Sequence, residues 1–103
     1  MDAELQEAVN QLEQGQADAN LGGGVYKMRV ARQREGKSGG YRVIVFFKSE
    51  FRAFFVYGFA KSDRDNIDEK ELKAFKADAK AYLTLTEEQI ESWLLRGTLK
   101  EVL

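Results

Sequence analysis

The sequence predicts an α+β domain, in which an antiparallel sheet of three to four strands follows one helix and precedes two more. Two observations support this prediction. Apolar residues recur with a helical period near both ends of the chain, and the middle is rich in aromatic and β-branched residues bounded by turn signals. Because 103 residues suit one small domain, we expect residues 1–103 to form a single unit.

The first predicted helix covers Asp2–Gln14. Its apolar residues stand at i, i+3, i+4 and i+7, and Gly15 is a typical helix stop. The following residues, QADANLGGG, end in three glycines and show no apolar period. We therefore expect a loop there.

Three strands are expected after this loop, over Val25–Ala31, Tyr41–Lys48 and Arg52–Ala60. The first alternates apolar residues with Lys27 and Arg29, so the two cations should share one face. The second and third are aromatic and β-branched and should pair in antiparallel fashion.

The C-terminal part of the chain returns to a helical period. Asn66 or Asp68 can cap the second helix, since an acidic residue follows each of them three positions later. Thr86 and Gln89 repeat this spacing and begin a third helix, which should end at Gly97.

The composition excludes several kinds of chemistry. With neither cysteine nor histidine, the chain cannot form disulfides, thiolate nucleophiles, zinc fingers or histidine-based catalytic triads. Any reaction must use Lys, Arg, Tyr, Ser, Asp or Glu. No apolar run approaches the roughly 18 residues of a membrane span. We expect a cytoplasmic protein that needs no metal or other cofactor.

The formal net charge of -1 hides an uneven distribution. Residues 1–24 carry -5, residues 25–64 carry +7 and residues 65–103 carry -3. A basic middle between acidic flanks indicates a site for a polyanion. Solvated Lys and Arg along exposed sheet edges produce the same pattern, and charge alone leaves both interpretations open.

The segment REGKSGGYR, which begins at Arg34, contains a Gly-Lys-Ser like the end of a phosphate-binding loop. Such a loop needs an earlier glycine where this chain has Ala31, and a helix must follow it. Here a predicted strand follows, so we exclude nucleotide binding and expect a turn between two strands. Mutual repulsion among the cations at this turn favours a phosphodiester partner. The cations are Arg32, Arg34, Lys37 and Arg42, with Lys27 and Arg29 on the adjoining strand.

The segments VYKMRVARQREGKSGGYRVIVFF and FFVYGFAKSDRDNI resemble the RelE/ParE superfamily of bacterial type II toxins, most closely its HigB-like RelE branch. The shared pattern is a Tyr-Lys-x-Arg strand, a turn ending in Gly-Tyr-Arg, a hydrophobic strand and a last strand ending in Ala-Lys. The resemblance implies a RelE-like sheet with helices packed on one face. It also implies a ribosome-dependent endoribonuclease that cuts mRNA and is neutralised by a cognate antitoxin.

The resemblance further implies roles for individual residues. In this chemistry the 2′-OH attacks the adjacent phosphate, while Lys and Arg relay protons and stabilise negative charge. By position, Lys27 corresponds to a general base or phosphate ligand and Arg29 to a phosphate ligand. Arg42 corresponds to a cation that stabilises the transition state, and Lys61 to a further catalytic cation. Arg64 corresponds to a basic residue after the last strand and is a predicted RNA contact. For Arg32, Arg34 and Lys37, charge and location rather than the resemblance predict contacts with the RNA backbone.

Two features depart from the family pattern. The family's first strand has no counterpart before Asp2, so we expect an uncovered sheet edge that favours homodimerisation or partner binding. Some members carry a catalytic tyrosine where this chain has Asp68. Tyr41 or Tyr57 are candidate substitutes, although core packing is the simpler expectation for both. The alternative is a non-catalytic binding module, either a ParE-like topoisomerase inhibitor or an inactive member that binds only its antitoxin.

Overall fold

A computed structural model describes residues 2–30, 40–49, 52–60 and 66–101. The elements are α1 (Asp2–Glu13), β1 (Ala19–Gly22), β2 (Val25–Val30), β3 (Tyr41–Lys48), β4 (Arg52–Ala60), α2 (Glu69–Tyr82) and α3 (Glu87–Leu95). The strands form one antiparallel sheet in the order β1-β2-β3-β4. The predicted α+β class is confirmed.

Strand β1 lies within the segment that the sequence predicts as a loop. It pairs with β2, with Ala19 opposite Lys27, and a turn of glycines joins the two strands. Gly22, Gly23 and Gly24 have φ angles of 90°, 63° and 83°, a region that side chains disfavour. The prediction of a loop was wrong here because a short polar strand leaves no apolar alternation in the sequence.

Strand β3 is the centre of the core. Val43, Val45 and Phe47 are buried on one face, and Ile44 and Phe46 are buried on the other. Because both faces of β3 are covered, the strand is a continuous apolar run rather than an alternating one.

Helices cover both faces of the sheet. Helix α1 packs Ala8 and Leu12 against one face, whereas α2 and α3 pack Ala79 and Ile90 against the other. The resemblance implies that the helices pack on one face of the sheet, and this expectation is wrong for this chain. The apolar side chains of β3 point in both directions, and each set needs its own cover.

The predicted starts of α2 and α3 and the predicted end of α3 are confirmed. The side chains of Asp68 and Thr86 each accept a hydrogen bond from the backbone N–H three residues later. The side chains of Glu71 and Gln89 in turn accept a hydrogen bond from the backbone N–H of Asp68 and Thr86. Of the two caps proposed for α2, Asp68 is the one used. Gly97, with a φ of 77°, follows the end of α3.

The described sheet has a short edge strand, β1, and a long one, the nine-residue β4. The pairing of β4 shifts at Val56, because Tyr57 pairs with Ile44 while Phe55 pairs with Val45. Such a bulge strengthens the local twist of an edge. Among the described helices, none is long and apolar enough to cross a membrane.

Candidate functional site

The pairing of β2 and β3 places three predicted site residues on one face of the sheet. Arg29 lies directly opposite Arg42, and Lys27, two residues before Arg29, shares its face. Ile44, the partner of Lys27, belongs to the core under α2 and α3. The three cations thus lie on the same face of the sheet as this core, beside it, where β2 ends and β3 begins.

The carboxylate of Asp18 lies among the three cations. Its Oδ1 accepts a hydrogen bond from Arg29 Nε at 2.7 Å. Its Oδ2 lies 3.6 Å from Lys27 Nζ and 3.8 Å from Arg42 Nε. Asp18 directly precedes β1, whose first residue pairs with Lys27, and this pairing brings it to the site.

The three cations differ in their exposure to solvent. The side chain of Arg42 is only 5% exposed, that of Lys27 15% and that of Arg29 49%. Arg42 is the buried charged residue of the described part of the chain. A buried guanidinium requires compensating charge or hydrogen bonds, and Asp18 supplies part of that compensation. Arg29 presents the most accessible positive charge of the three.

The other predicted site residues fall outside the described residues. These residues are Arg32, Arg34, Lys37, Lys61 and Arg64. The described chain resumes at Gly40 and continues as β3 from Tyr41, so a strand follows the Gly-Lys-Ser, as expected. A phosphate-binding loop would need a helix at that place.

The two tyrosines proposed as substitutes occupy different faces. Tyr41 packs against the core on the α1 side, away from the face of Arg42. Tyr57 lies on the face of the cations, with its ring centroid 5.8 Å from Phe59 and 6.0 Å from Phe75. It is 36% exposed. Packing therefore accounts for both rings, as the sequence suggests, and only Tyr57 shares a face with the cations.

Two grooves of the described surface lie along β4. The larger, of about 590 Å³, runs past Val9, Phe54 and Leu94, and the smaller, of about 400 Å³, lies beside Leu5 and Tyr57. None of the three cations lines either groove.

Asp18 is the site residue that the sequence interpretation missed. It stands in a short polar segment predicted as a loop, ten or more residues from two of its three partners. Within the described residues, no group of three or more acidic side chains is arranged to hold a metal ion. The site is therefore a cluster of cations around one carboxylate.

One comparison with known proteins identifies the chain. The family model described as "RelE toxin of RelE / RelB toxin-antitoxin system" matches residues 1–102. No curated protein and no solved structure gives a significant match. The match spans nearly the whole sequence and includes the cationic strands β2 and β3. The chain therefore belongs to the RelE toxin family of toxin–antitoxin systems.

Proposed function

We propose that this toxin is a ribosome-dependent endoribonuclease that cuts mRNA by attack of a 2′-OH on the adjacent phosphate. Membership of the RelE toxin family makes it the toxin of a toxin–antitoxin pair with a cognate antitoxin as partner. The observation that carries the proposal is the convergence of Lys27, Arg29 and Arg42 on one anion, Asp18. A site that holds a carboxylate with three cations has the charge to hold a phosphodiester.

The reaction requires charge stabilisation more than a strong nucleophile. The 2′-oxygen bonds to phosphorus as the P–O5′ bond breaks, which leaves a 2′,3′-cyclic phosphate; the 2′-OH gives up its proton and the departing 5′-oxygen takes one up. Extra negative charge develops on the non-bridging phosphate oxygens, and guanidinium groups match that geometry with paired N–H donors. Arg42, held rigidly by its burial, suits the transition-state charge. Arg29, which is half exposed, suits the phosphate of the incoming strand.

The role of Lys27 follows from its ion pair. Its Nζ lies 3.6 Å from Asp18 Oδ2, beside an anionic oxygen as a phosphate ligand would lie. This contact supports the phosphate-ligand role of Lys27, and the general-base role stays a prediction.

We also propose functions for cations outside the described residues. Lys61 would assist catalysis, and the remaining four would bind the RNA backbone: Arg32, Arg34, Lys37 and Arg64. The ribosome would orient the mRNA and supply part of the positioning that the toxin lacks, which places the reaction in the cytoplasm. Assignment to the HigB-like branch and a homodimer through a sheet edge stay predictions.

A test compares Arg42→Ala, Arg42→Lys and Arg29→Ala in purified toxin with ribosomes and a reporter mRNA. We expect Arg42→Ala to lower the cleavage rate about 100- to 1,000-fold, the loss typical for removal of one transition-state donor. Arg42→Lys keeps the charge but loses the planar pair of donors, so it should recover only part of the rate. Arg29→Ala changes a half-exposed side chain and tests the site with less risk to the fold.

Circular dichroism and thermal unfolding would first show that each variant is folded. Full cleavage by folded Arg42→Ala and Arg29→Ala variants would refute the assignment of the site. A topoisomerase inhibitor predicts growth arrest without new mRNA ends, and an inactive member that binds only its antitoxin predicts neither. Primer extension after induction separates the two functions, and a DNA supercoiling assay tests topoisomerase inhibition directly.

A further inference from the structure

We propose that Asp18 is a positioning residue that serves as an internal counterion of the site. Its carboxylate holds the three cations in place before RNA binds and is replaced by an RNA phosphate when the complex forms. This inference rests on the proposed function and adds to it a residue that sets both RNA affinity and cation geometry.

The contacts of Asp18 use both carboxylate oxygens. One oxygen is bound to Arg29 at 2.7 Å, and the other lies between Lys27 and Arg42 at 3.6 Å and 3.8 Å. A carboxylate and a phosphodiester each present two anionic oxygens to the N–H donors of a guanidinium. The position of the carboxylate therefore marks where an anionic oxygen of the RNA fits.

The buried part of this cluster needs a nearby anion. The side chain of Asp18 is 14% exposed, and that of Arg42 beside it is 5% exposed. Charges in such surroundings interact more strongly than in water, so removal of the Asp18 carboxylate would strengthen the repulsion among the three cations. Arg29 has the room to turn into solvent, whereas Arg42 does not. On loss of Asp18, we therefore expect the Arg29 side chain to leave the cluster first.

The same carboxylate opposes RNA binding. Among the described residues, the three cations and Asp18 sum to two positive charges, and removal of the carboxylate charge raises this sum to three. Each phosphate charge neutralised in a single strand contributes about -0.7 to the slope of log K against log salt. Asp18→Asn should thus bind RNA more tightly at low salt and steepen this slope by up to about 0.7. The cleavage rate at saturating RNA should fall about 10- to 100-fold, because cations that are not positioned before RNA binds settle around the phosphate in unproductive arrangements.

The experiment uses the full chain and four proteins: wild type, Asp18→Asn, Asp18→Glu and Glu87→Gln. Glu87→Gln is the matched control, because it removes one negative charge from an ion pair with Arg52 that lies outside the site. RNA affinity is measured by fluorescence anisotropy over a range of salt concentrations with a 2′-O-methyl oligonucleotide, which cannot be cut. Cleavage of a reporter mRNA on ribosomes gives kcat and KM separately.

Of the four proteins, we expect Asp18→Asn to be the one in which both KM and kcat are lower than in the wild type. Asp18→Glu keeps the charge and should restore the wild-type salt slope, and Glu87→Gln should leave both constants unchanged. A purely structural role for Asp18 would instead weaken RNA binding and thermal stability together. An Asp18→Asn slope equal to that of wild type and Glu87→Gln would overturn the inference while leaving the ribonuclease proposal intact.

A measurement on the wild type keeps the test valid if Asp18→Asn does not fold. The ¹³Cγ resonance of the Asp18 carboxylate should shift on titration with the oligonucleotide, and the carboxylate resonance of Glu87 should not. An unchanged Asp18 resonance at saturation would overturn the inference. Failure of the wild type to bind or cut RNA on ribosomes would refute the proposed function itself.

Discussion

Gly24 lies at a close approach between the β1–β2 turn and the end of α2. Its φ is 83°, and its carbonyl oxygen accepts a hydrogen bond from the Phe47 N–H at 2.9 Å. A methyl group at this position would lie 2.6 Å from Leu83 Cδ1. Leu83 is the C-cap of α2, and its side chain would have to shift to admit the methyl group.

We expect Gly24→Ala to destabilise the protein through two separate effects. The left-handed backbone costs about 1–2 kcal/mol for a residue with a Cβ, and overpacking against Leu83 adds about 1–3 kcal/mol. Gly15→Ala is the matched control, since Gly15 has a φ of 75° and no atom within 4 Å of the added methyl. Urea unfolding gives both free energies. Equal losses for the two variants would show that the contact with Leu83 relaxes without cost.

The first turn of α2 illustrates how one side chain begins a helix. Asp68 accepts a hydrogen bond from the Glu71 N–H at 2.7 Å, and Glu71 Oε1 accepts one from the Asp68 N–H at 3.0 Å. The capping box satisfies two donors that a helix leaves unpaired at its start. Asp68 occupies the position where some family members carry a catalytic tyrosine, and here its contacts are structural.

Replacement of this cap should therefore affect stability and leave cleavage intact. We expect Asp68→Ala to lower the free energy of unfolding by about 1 kcal/mol, while Asp68→Asn, an equally good N-cap, should change it little. Urea unfolding measures the first effect, and the reporter mRNA assay measures the second. A folded Asp68→Asn variant with greatly reduced cleavage would instead indicate a chemical role for the carboxylate.

At the level of the complete fold, an ion pair connects the edge strand β4 to α3. Arg52 Nη2 donates to Glu87 Oε2 at 2.6 Å. This hydrogen bond, together with the positive charge of Arg52, lowers the pKa of Glu87 below its ordinary value of 4.5. The contact joins two elements that are 35 residues apart in the chain.

The pH dependence of this contact has a defined sign. Because the folded-state pKa of Glu87 is lowered, the ion pair stabilises the fold above about pH 4.5, and its contribution is lost as the pH falls through the lower folded-state value. Glu87→Gln should therefore be less stable than wild type at pH 7, by a small margin typical of exposed pairs. The difference should vanish in strong acid. Urea midpoints from pH 2 to pH 7 measure it, and a constant difference across this range would contradict the assignment.

The sequence was most informative where a local signal coincides with a structural element. Helical periods, capping boxes and the apolar strands β3 and β4 all depend on neighbouring residues, and each appears in the structure where it was expected. Alternation in β2 also placed Lys27 and Arg29 on one face. Strand β1 was not evident from the sequence, because a four-residue polar strand has no period of its own. The packing of helices on both faces of the sheet was also not predicted.

By itself the sequence determined the fold class, the limits of most elements and the concentration of positive charge in residues 25–64. The tertiary structure decided which cations meet, how deeply Arg42 is buried, and that Asp18 is their shared anion. The physical reason is that periodicity and capping are short-range properties of the chain. Charge clustering around Asp18 depends on strand register, which brings together residues that are distant in sequence.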